Sequence, residues 1–90
     1  MVTWKIQVVG KVQGVYFRAN TREKAKELGL KGWVRNESDG SVRIEVQGES
    51  GQVDRFFDWV HQGPPRARVD QVIINKEEKS NRFLSFEIIR

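Results

Sequence analysis

Nine residues near the start, Gly10-Lys-Val-Gln-Gly-Val-Tyr-Phe-Arg18, have the types and spacing best suited to chemistry. Gly10 and Gly14 permit a sharp turn and, lacking a Cβ, let the backbone approach a ligand closely. The segment runs into a helical pattern. The amide N–H groups of Val12, Gln13, Gly14, Val15, Tyr16 and Phe17 are therefore expected to point together at the positive end of a helix dipole. Arg18 adds a planar guanidinium that can hold two oxygens of one phosphate. A cation at a helix start opposes the dipole, and a residue set against its local preference points to use. An ordinary strand-to-helix turn would explain Gly14 but not Arg18. The combination reads as an anion cradle. It lacks the Gly-Lys-Ser/Thr ending of a P-loop, so neither nucleotide nor Mg²⁺ is expected.

The flanking elements follow from periodicity. Thr3 to Val9 alternates as a strand with Trp4, Ile6 and Val8 on one face, and Phe17 to Leu28 has helical spacing and stops at Gly29. Leu30 to Asn36 and Ser41 to Gln47 read as a hairpin joined by Asn36-Glu37-Ser38-Asp39-Gly40. A second helix spans about Gly51 to Gln62, with Ser50 as N-cap, a stripe of Val53, Phe56, Phe57 and Val60, and a stop at Gly63-Pro64-Pro65. Val69 to Asn75 is a strand and Lys76 to Arg82 a polar loop. Phe83 to Arg90 is a closing strand with Leu84, Phe86 and Ile88 inward. Two strand-helix-strand crossovers around a hairpin predict an α+β, ferredoxin-like βαββαβ sandwich, mostly antiparallel, with both helices on one face. The other face is expected to be wet, which accounts for Lys5, Gln7, Arg43, Glu45 and Gln47.

Ninety residues imply one domain, 1–90, with one modest core. The absence of cysteine excludes disulfides, thiolate metal sites and a cysteine nucleophile. No apolar run is long enough for a membrane span and no signal peptide is evident, so the expected location is cytoplasmic. Residues 1–36 hold eight Lys/Arg against two Glu, a net of +6, and the remainder nets −2. The positive field thus surrounds the cradle and suits a small anion or a nucleic-acid backbone.

Two segments resemble the signatures of the acylphosphatase family. The first is Gly10-x-Val12-Gln13-Gly14-Val15-x-Phe17-Arg18. The second is Gly32-Trp33-Val34-Arg35-Asn36 with Gly40-x-Val42 and Gly48 following. Neither departs from the family pattern, and Gly63-Pro64-Pro65 is similar to the family's usual turn. The resemblance implies the same fold, with Arg18 as catalytic anchor of a phosphoryl group and Asn36 orienting the attacking water. Read alone, Asn36 is an Asx-turn cap. An amide suits the water, since it both accepts and donates.

What is missing agrees with that chemistry. His61, the sole histidine, sits where a helix dipole explains it, and no metal-ligand spacing or activated serine is present. A reaction run by an arginine, amides and an asparagine must need little acid–base help. An acyl phosphate qualifies because its leaving carboxylate is stable as an anion, with a free pKa of about 4. The expectation is metal-free, cofactor-free hydrolysis of a small acyl phosphate to carboxylate and inorganic phosphate by a monomer. Carbamoyl phosphate, acetyl phosphate and 1,3-bisphosphoglycerate all present that reacting group. A nucleic-acid module on the same fold is the main rival, with Trp33 or Tyr16 as stacking platforms. The polar face of the Ser41–Gln47 strand lacks the aromatic spelling that would favour it. A module that only binds anions is the other.

Overall fold

The computed structural model describes residues 1–77 and 83–90. Its elements are β1 (Val2–Lys11), α1 (Phe17–Glu27), β2 (Lys31–Asn36), β3 (Val42–Gly48), α2 (Ser50–Gln62), β4 (Arg68–Glu77) and β5 (Phe86–Ile88). One sheet has the order β4-β1-β3-β2-β5, antiparallel except that β5 runs parallel to β2. This is the ferredoxin-like arrangement with one added edge strand. Trp4, Ile6, Val8, Val34, Val42, Ile44 and Val46 face Phe17, Ala25, Val53, Phe56 and Val60 of the helices, all of them buried. Removing each Val, Ile or Phe side chain among them from water contributes about 1.5–3 kcal/mol. Helix α1 stops in a Schellman arrangement, Gly29 N–H donating to Lys26 O and Leu30 N–H to Ala25 O.

Five expectations need correcting. Glu49, not Ser50, caps α2, because β3 ends at Gly48 and leaves a single linking residue. The closing strand is three residues rather than eight, since β5 pairs only with Gly32–Val34 of β2. Phe86 is buried, but Leu84 is 91% exposed before the strand begins and Ile88 is also exposed. Glu45 and Gln47 are buried because β3 is flanked on both sides, and Gln47 Nε2 donates to Thr3 Oγ1 at 3.0 Å. Lys76 and Glu77 close β4, and the rest of the expected polar loop lies outside the described residues.

Strand direction matters most for the site. Antiparallel β3 lies between β1 and β2, so the carboxyl ends of β1 and β2 emerge at one pole. Parallel β5 sends its own carboxyl end there too.

Candidate active site

At that pole a cleft of about 560 Å³ is lined by Val12, Gly14, Tyr16, Phe17, Arg18, Ala19 and Asn36, with Ile88 and Arg90. The β1–α1 loop is held by three apolar side chains. Val12, Val15 and Phe17 are buried, and Phe17 packs on Trp59 with ring centroids 6.0 Å apart. Gly14 and Tyr16, between those anchors, are exposed and left-handed at φ 73° and 61°. Tyr16 is the one non-glycine residue among those described with positive φ. Such strain, of order 1–3 kcal/mol, persists only where the surroundings impose it. Left-handed residues alternating with ordinary ones turn successive N–H groups into one concavity, an anion nest.

Hydrogen bonding agrees with that geometry. Among the described residues, no backbone hydrogen bond outside the helix and strand ladders uses an amide from Val12 to Ala19. The first internal donor is Asn20, whose amide and side-chain Nδ2 both reach Tyr16 O, at 3.1 and 2.8 Å. Arg18 is half-buried in the first turn of α1 and makes no ion pair among the described residues. Asn36, the last residue of β2, has a buried Oδ1 with no hydrogen-bond partner among the described residues. A buried acceptor left open costs about 1–3 kcal/mol. The Asx-type bond that its plain reading predicts is made by Asp39 instead. Asp39 Oδ1 accepts from the Ser41 hydroxyl at 2.6 Å and the Ser41 amide at 2.9 Å. Those bonds, the hydroxyl's first, hold the Asp39 carboxyl below its ordinary value of 3.8.

All the residues named from the sequence sit at this pole, although Gln13 and Val15 do not line the cleft itself. Gly10 has a different use from the one expected. It sits at a register shift between β1 and β4, and a Cβ there would collide with the Arg68 carbonyl, so strand packing and not a ligand needs the glycine. Sequence reasoning missed Ile88 and Arg90, whose place depends on β5 pairing with β2. It also missed the Gln13 side chain, whose Nε2 donates to Glu37 O at 2.8 Å and Ser41 O at 2.9 Å. The acidic Glu37 is engaged elsewhere, its Oε1 3.2 Å from both Arg35 Nη2 and Arg43 Nε. Arg35 also lies over Trp33, 4.9 Å from the ring centroid, and so occupies the face a stacked base would need. Among the described residues no group of three His, Asp or Glu side chains could hold a metal ion.

The family model described as acylphosphatase matches residues 4–88. The chain belongs to the acylphosphatase family. It is 49% identical to an acylphosphatase of Marinobacter nauticus over 92% of this chain and 90% of that one. It is 48% identical to one from Acaryochloris marina over 100% and 96%. Among solved structures it resembles the Bacillus subtilis acylphosphatase with a TM-score of 0.98 and 31% identity, each chain covered completely. No helix of the described residues is long and apolar enough to cross a membrane.

Proposed function

We propose that this chain hydrolyses small acyl phosphates to a carboxylate and inorganic phosphate, with no metal and no covalent intermediate. One observation carries the reading: uncommitted loop amides, the Arg18 guanidinium and the Asn36 side chain meet at one cleft. The amides of Val12, Gln13, Gly14, Val15, Tyr16 and Phe17 form the anion nest, and with Arg18 they hold the phosphoryl oxygens. In a loose phosphoryl transition state, such positioning and charge neutralisation dominate the rate. The Asn36 side-chain amide holds a water and aims it at phosphorus, in line with the bond to the acyl oxygen. The water oxygen–phosphorus bond forms as the phosphorus–acyl oxygen bond breaks, and that electron pair leaves on the carboxylate. The water proton passes to a phosphate oxygen. Among the described residues no Asp, Glu or His side chain lines the cleft, and the scheme uses no protein base.

The test is hydrolysis of an aromatic acyl phosphate in excess EDTA. Full turnover is expected, and loss of turnover reversed by added divalent metal would refute the metal-free scheme. Binding of phosphate or of single-stranded RNA without turnover would instead favour a binding module. We further read residues 1–90 as one domain, acting as a cytoplasmic monomer. Sedimentation at working concentration tests the monomer.

A further inference from the structure

The side chain of Gln13 lies on the hidden side of the nest and does not line the cleft. Its Nε2 donates one proton to Glu37 O at 2.8 Å and the other to Ser41 O at 2.9 Å. Two carbonyl acceptors require the nitrogen there, because the amide oxygen in its place would face two acceptors with no proton between them. Both acceptors belong to the connection that follows Asn36, and they flank its closing bond, Glu37 N–H to Ser41 O at 2.9 Å. That connection is also tied to β1, through Gln7 Nε2 donating to Ser41 Oγ at 3.1 Å. Gln13 is thus the strut between the loop that would grip phosphorus and the strand end that would hold the water.

We propose that Gln13 is a positioning residue that sets the register between anion nest and attacking water, an inference that rests on the acyl-phosphate reading above. The nest itself is fixed independently by Val12, Val15 and Phe17 in the core. Loss of the strut therefore leaves phosphate binding intact and misaligns the water. A misplacement of about 1 Å costs on the order of a hundred-fold in rate.

The test uses Gln13→Met, which keeps volume and removes the donors, beside Gln13→Ala, Asn36→Ala and the Gln13→Met/Asn36→Ala pair. In Gln13→Met, kcat for benzoyl phosphate is expected to fall roughly ten- to hundred-fold. Competitive inhibition by inorganic phosphate should stay within about two-fold, since the nest does not move. With Asn36 already removed, the second change should cost less than about three-fold, because the register then has nothing to align. A wild-type kcat in both Gln13 variants, a phosphate inhibition constant rising in step with the loss of kcat, or fully multiplicative costs would each overturn the proposal. Phosphate titration followed by amide NMR is independent of turnover. In the wild type, shifts should spread from 14–17 into 37–41, and in Gln13→Met they should stop at the loop. Continued spreading in the variant would overturn the strut. A wild type that turns over no acyl phosphate would remove the reaction and leave the strut to this second readout.

Discussion

Two connections lie side by side at one end of the sheet, and they treat their polar groups in opposite ways. The β2–β3 turn is closed upon itself. Glu37 N–H reaches Ser41 O, Gly40 N–H reaches Glu37 O, and Asp39 takes both the amide and the hydroxyl of Ser41. In the β1–α1 loop the side chains are anchored while the amides from Val12 to Ala19 have no such partners among the described residues. Both connections are tied down, but the β1–α1 loop leaves the longer unbroken run of amides without such partners. Rigidity supplied by apolar anchors, and not by internal hydrogen bonds, is what lets a loop be both fixed and receptive.

The sharpest way to break that contrast is at the receptive side. Arg18→Ala is expected to lower turnover of benzoyl phosphate about a thousand-fold with the melting temperature nearly unchanged, since charge on the transferring phosphoryl loses its partner. Asn36→Ala should cost about a hundred-fold in kcat with little change in inhibition by phosphate. It should also retain or gain stability, because the orphaned Oδ1 disappears with the side chain. Near wild-type turnover in either variant would remove that residue from its role.

A paired substitution sharpens the contrast further. Gly14 and Gly40 both have positive φ, 73° and 91°, and a Cβ on either meets nothing within 4 Å. Gly14→Ala and Gly40→Ala should therefore each cost about 1 kcal/mol, some 4–8 °C in Tm, from backbone strain alone. Only the Gly14 change should weaken inhibition by phosphate, by roughly ten-fold. Equal effects on inhibition would erase the distinction between the two connections.

The smallest effect belongs to the closed turn. Folding favours the charged form of Asp39, so its contribution is fully present above pH 3.8 and lost as pH falls through the lower folded value. Carbon-detected NMR titration of Asp39 should give a midpoint below 3.8 that moves back toward it in Ser41→Ala. An unmoved midpoint would mean that the Ser41 hydroxyl does not bond the Asp39 carboxylate.

The extent to which the sequence anticipated this architecture follows from the range of each cause. Helix α1 and its stop at Gly29 are local, and periodicity with one glycine was enough to find them. Leu84, Phe86 and Ile88 alternate as a buried strand should, but alternation reports a shared face and not whether anything covers it. Glu45 and Gln47 looked solvated for the same reason, since their cover comes from neighbouring strands. At the cleft, Arg18 and the loop were legible because their chemistry is contiguous in the chain. Arg90 arrives through the parallel pairing of β5 with β2, and the use of Gln13 depends on carbonyls 24 and 28 residues away. No local spacing encodes either.

Tyr16 separates two roles that most residues carry together. Its peptide is locked into the left-handed conformation by buried neighbours on either side, while its ring stands 73% exposed at the cleft's rim. Replacing the ring leaves the backbone constraint in force. The position is therefore a natural handle for evolution or engineering: different side chains there change the rim of the cleft while the backbone of the loop keeps its shape.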